Sequence, residues 1–281
     1  MTVRTVLILA RLTVREASRR RVLRALAAMT VLLLALSFWG FSRIDAEFGG
    51  LTTGEARIAA STVLNLVMFG LSLIAALGTA FLAGPTVAGE IESGQALAVL
   101  ARPVRRSAVL VGKWLGLVTF GGGFVATAGL AQIVIVRLTV GYWPPDAAGG
   151  LALLAAQTTV LLTLALLLST VISPMASGVV AVGVFGATWI AGVVGGVGEA
   201  LGNEALARIG TVSRMILPTD GLWQGAMHAF QDPTIFLISP GIAESPFAGD
   251  APLSPAYLAW AGLWVLMVLG LTAMGFQRRD L

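Results

Sequence analysis

Residues 89–113 read GEIESGQALAVLARPVRRSAVLVGK, and the reading of this stretch decides the rest. Uncharged hydrophobic sequence runs up to it and resumes directly after Lys113. Inside it stand two carboxylates (Glu90, Glu92), a break at Gly94, a short apolar helix pattern (Ala96, Leu97, Leu100), then Arg102, Pro103, Arg105, Arg106 and Lys113. A short amphipathic segment between two apolar runs, basic at its far end, is expected in the cytoplasmic interface of a membrane.

The flanking sequence sets the class. Of 281 residues 57% are hydrophobic and 11% charged, far below the roughly one-quarter charged content of soluble domains. Five uncharged runs stand out: 25–42, 58–89, 114–136, 147–198 and 251–277. A spanning helix needs about 20 apolar residues, so the run 147–198 must hold two, parted at Ser173-Pro174-Met175-Ala176-Ser177. The expectation is an all-α membrane protein of six spans in one domain, near 23–42, 60–84, 108–138, 151–172, 178–198 and 256–276. Gly84-Pro85 is expected to end the second span.

Basic residues orient the bundle. Seven precede Ala25, four lie in the central loop and two stand at the end, out of 18. Ten of the 14 acids fall on the other side. The positive-inside rule then makes both termini and the loop 85–107 cytoplasmic. Residues 3–19, within a cytoplasmic segment 1–21, read as an amphipathic helix with Arg4, Arg11, Arg15 and Arg19 on one face, suited to anionic lipid head groups. No aromatic residues interleave these arginines as a nucleic-acid arm would need.

The order of parts in 89–113 resembles the loop after the second span of type-2 ABC exporter permeases. The matching positions are Glu90, Glu92, Gly94, Leu97, Leu100, Arg102-Pro103, Arg106 and Gly112-Lys113; Gln95 departs from the Thr usual after the Gly. The resemblance implies a coupling helix that docks on a separate ATPase subunit. It further implies two permease copies, a homodimer in the simplest case, with two ATPase copies that bind ATP and Mg, in a bacterial plasma membrane. Gly112-Lys113 is not itself a phosphate-binding loop, because Ser107 stands five before Gly112 and Trp114 follows Lys113. If ATP drives the chain, another polypeptide binds it.

Three other features carry expectations. Gly183, Ala187, Ala191 and Gly195 recur at four-residue steps and form a small-residue packing face, within the bundle or between copies. Residues 199–255 form a large extracytoplasmic piece: a short amphipathic helix over Glu199–Arg214, a second from Pro218-Thr219-Asp220 to Phe230 with Asp220 as N-cap, and a Pro/Gly-rich loop. This layout resembles the permease subgroup tied to multicopper-enzyme maturation, which implies a partner outside the cell. His228 with Met215 and Met227 is the weak metal candidate, though such residues on an amphipathic helix more often pack. No charged residue stands near the middle of a span, which weighs against the competing reading of a stand-alone ion-coupled carrier or assembly scaffold.

Overall fold

The computed structural model describes residues 2–48, 54–92, 106–232, 249 and 251–278. All regular structure among them is helical. In chain order the helices are α1 (Thr2–Ala17), α2 (Arg21–Phe48), α3 (Gly54–Glu92), α4 (Arg106–Val140), α5 (Ala147–Ser169), α6 (Pro174–Ala200), α7 (Glu204–Ile216), α8 (Thr219–Phe230) and α9 (Pro255–Arg278). Six are long and apolar enough to cross a membrane: Arg21–Arg43, Arg57–Thr86, Arg106–Val140, Ala147–Ser169, Pro174–Ala200 and Pro255–Gln277. The chain is a multi-pass membrane protein.

Packing orders the spans. α3 is the most buried and lies against α2, α4, α5 and α6, while α2 and α9 are the least buried. Leu64, Met68 and Leu71 of α3 meet Phe41 of α2, Ile133 of α4 and Leu154 of α5 in one core cluster. A second cluster nearer the chain termini joins Ala17, Leu82, Leu110, Leu166 and Phe276. Polar bonds cross between spans as well: Ser72 Oγ donates to Gln157 Oε1 at 2.9 Å and Trp114 Nε1 to Thr163 Oγ1 at 2.9 Å. In an apolar surround such groups must find partners inside the protein.

Pro85 does not end its helix. α3 continues through it for two more turns to Glu92. Proline forfeits one backbone bond, to the carbonyl four residues back, but its fixed φ is helical, so packing on both sides suffices to carry the helix on.

The piece after α6 is the larger departure. α6 ends at Ala200, and Gly202 takes a positive φ of 64°, which turns the chain back on itself. The side chain of Asn203 then caps α7, accepting from Ala205 N and Leu206 N. α7 packs along α6 through glycine: a Cβ on Gly195 would stand 2.6 Å from the Cα of Gly210. α8 returns into the bundle against α5, α6 and α3, with Trp223, Met227 and Phe230 fully buried in the first core cluster. Residues 199–232 are therefore a helical hairpin folded into the membrane domain rather than a free outer lobe. Asp220 is not an N-cap; that position belongs to Pro218, and no side chain caps α8.

Candidate functional site

Two ends of the bundle can be told apart by contacts. At the basal end the start of α4 meets the end of α9, where Arg106 Nη1 donates to Gln277 O at 3.3 Å. At the distal end Tyr142 donates to Phe230 O at 2.8 Å and Asp146 N to Ala229 O at 3.1 Å.

The basal end holds the stem of the stretch 89–113. α3 carries Glu90 and Glu92 in its last turn, and α4 begins at Arg106. Gly94, Leu97, Leu100 and Arg102 lie outside the described residues. Two turns into α4, Lys113 is 8% exposed and its Nζ donates to Thr86 O at 2.9 Å. Thr86 is the residue after Pro85, and its hydroxyl donates back to Leu82 O at 2.6 Å. A buried ammonium must be hydrogen-bonded, so Lys113 ties α4 to α3 at the point where α3 leaves the core.

α1 is the third member of this stem. Its Val6, Leu9, Ala10 and Thr13 press on α4 where Gly112 and Gly116 leave a notch. A Cβ on Gly112 would sit 2.7 Å from Leu9 Cβ, and one on Gly116 2.6 Å from Ala10 O. Arg4, Arg11 and Arg15 stay exposed, and so do Val3, Leu7, Ile8 and Leu12. Exposed arginines interleaved with exposed aliphatics suit the membrane–water boundary. The stem thus joins α1, α3, α4 and α9 at one end.

The distal end carries two ion pairs. Arg57 Nη2 lies 3.0 Å from Asp232 Oδ2, and the Asp232 side chain is 3% exposed. Burial, and then the charge of Asp232, push the Tyr142 phenol above its ordinary pKa. Asn65 Nδ2 donates to Gln231 Oε1 at 3.4 Å, a contact from α3 to the residue that caps the C-terminus of α8. The second pair lies deeper. Arg214 Nε donates to Asp220 Oδ2 at 2.9 Å, with Asp220 3% exposed. A Cβ on Gly192 would collide with that carboxylate, and Thr219 Oγ1 sits 3.2 Å from Thr188 Oγ1. Thr188 and Gly192 precede the end of α6 by 12 and 8 residues, which is about 18 and 12 Å at 1.5 Å per residue. A charged pair therefore does stand level with the middle of a span, brought there by the hairpin. Tyr257 OH donates to Arg214 O at 3.1 Å and Trp264 Nε1 to Ile216 O at 2.7 Å, so α9 holds the same elbow from its other side.

The other sequence candidates fall as follows. Gly195 and Ala191 face α7, whereas Gly183 and Ala187 are exposed, and Gly183 has no neighbour within 4 Å of a Cβ. Met227 is fully buried in the core, Met215 is 47% exposed on α7, and His228 donates its Nδ1–H to Gly249 O at 3.0 Å. The structure does not gather these three. Among the described residues no three His, Cys, Asp or Glu side chains are grouped to hold a metal. Sequence reasoning missed the Lys113 tether and the Arg214–Asp220 pair. The signal for the latter was an arginine and an aspartate six residues apart across Pro218, legible only once the chain is known to fold back there. No protein-family model matches the chain, and no curated protein matches it.

Proposed function

We propose that this chain is the permease subunit of an ATP-driven ABC exporter, working as two copies with two separate ATPase subunits. The observation that carries the reading is the basal stem. A carboxylate-bearing end of α3 and a basic start of α4 flank the segment 93–105, and Lys113, the α1 notch and the Arg106–Gln277 bond tie that segment's two supports to the bundle. A partner pressing on such a loop moves packed helices as a rigid body.

In this mechanism Glu90 and Glu92 meet the ATPase through its polar rim, and Leu97 and Leu100 fill an apolar pocket on it. ATP and Mg sit in the partner. The basic stem and α1 face the cytoplasm of a bacterial cell, by the positive-inside rule, and the α7–α8 end faces outward, the side on which an extracytoplasmic partner would meet the chain. The single observation that favours an ion-coupled carrier instead is the Arg214–Asp220 pair at mid-span depth.

The double variant Glu90→Lys/Glu92→Lys tests the docking surface. ATPase activity co-purifying with the chain is expected to fall at least ten-fold, with membrane insertion unchanged. Undiminished recovery of the ATPase with the variant contradicts the assignment.

A further inference from the structure

A cavity of about 610 Å³ opens at the distal end between α5, α8 and α9. One wall is the first three turns of α5, Gly149, Ala152, Leu153 and Ala156; Gly225 of α8 and Leu258 of α9 face them. The polar lining is the exposed Asp146, the half-buried His228 and the buried Gln231, all at the distal end. The volume lies within the roughly 300–1,000 Å³ of small-molecule sites.

Its position says what enters it. Asp146 is the N-cap of α5, an apolar helix that begins at the membrane boundary, and Ala156 lies ten residues deeper, about 15 Å at 1.5 Å per residue. That is half of a hydrocarbon core about 30 Å thick, the depth of one leaflet. Ala152 and Leu258 are exposed on spanning helices, so the cavity opens sideways toward lipid. Polar side chains line only its distal end. There the exposed Asp146 carboxylate brings a negative charge, while the nearby Asp232 is already paired with Arg57.

We infer that this cavity holds one acyl chain of a phospholipid from the distal leaflet, with an ammonium head group placed at Asp146. The chain fills the apolar shaft from Gly149 to Ala156, and the head group stays at the level of His228 and Gln231. The site is formed by the hairpin, since α8 supplies the wall opposite α5. It therefore couples lipid occupancy to the seating of α8. None of this depends on an ATPase partner.

The test uses the full-length chain in nanodiscs of phosphatidylcholine doped with phosphatidylethanolamine or phosphatidylglycerol that carries a diazirine in the acyl chain. Adducts are mapped by mass spectrometry after illumination. The expected result is phosphatidylethanolamine adducts concentrated on 146–156 and 252–258, reduced at least five-fold by Ala152→Trp or Leu258→Trp, and unaffected by Leu271→Trp on exposed α9 surface. Both cavity variants must elute as monodisperse protein, and two walls are tested so that one failed fold does not decide. Asp146→Asn retains the helix cap and is expected to bring the phosphatidylethanolamine-to-phosphatidylglycerol adduct ratio to about one. Adducts spread evenly over all lipid-facing residues, or unchanged by both tryptophans, overturn the site. A wild-type ratio already at one overturns the ammonium assignment.

Discussion

Arg214 and Asp220 show what a pair of side chains can demand of the chain around them. Asp220 is almost wholly buried, and Arg214 is its only cationic partner in the described contacts. Removing one member of a buried pair leaves an uncompensated charge, at a cost of about 3–5 kcal/mol. Arg214→Met is thus expected to lower the melting temperature in detergent sharply, and Arg214→Met/Asp220→Asn to recover most of the loss. Equal melting of wild type and Arg214→Met removes the pair from the list of what holds the hairpin. At the same scale, Lys113→Met keeps the aliphatic stem but deletes the donor to Thr86 O. On the proposed exporter reading, stimulation of the partner ATPase is expected to drop several-fold while the melting temperature moves little. An equal fall in both readouts makes the tether structural only. The residue types of these sites were plain in the sequence. Their partners were not, because each bond joins positions that only the assembled bundle brings together.

Elements tell the same story through glycine. The sequence offered one row of small residues on α6, at four-residue steps from Gly183 to Gly195. The structure instead buries a different line, Gly192, Gly195 and Gly198, where Gly195 meets Gly210 and a Cβ on Gly198 would stand 2.5 Å from Ala207 N. The α1 notch gives a direct test at this scale. The chain has no cysteine, so Thr13→Cys supplies a unique thiol beneath Gly116. Maleimide labelling of that thiol is expected to be slow, and at least five-fold faster when Gly116→Val is added, since the valine has no room against Ala10 O and Thr13. Labelling that is fast in both places α1 elsewhere. Helix α3 adds a caution about Pro85: local sequence marks a weak point, and tertiary packing decides whether the helix stops there.

For the whole molecule, the six spans were legible because apolar length is a strong signal and the bilayer fixes it. The interruption at Pro174 also stands as the start of α6. The folded-back hairpin was not legible, because α7 and α8 are too short and too polar to register as membrane elements, and their burial comes from Gly202, Gly210 and Trp223 meeting distant helices. The stem is legible as composition, while its tethering required coordinates. What unites these levels is a bundle whose basal end gathers α1, α4 and α9 at the end of α3. The most direct test is a mild-detergent pull-down of the tagged chain from its native membrane, with ATPase assay and mass identification of what co-elutes. An ATPase subunit recovered in equal stoichiometry with the chain is the expected result. Recovery of the six-span chain alone, without ATP hydrolysis, contradicts the exporter reading.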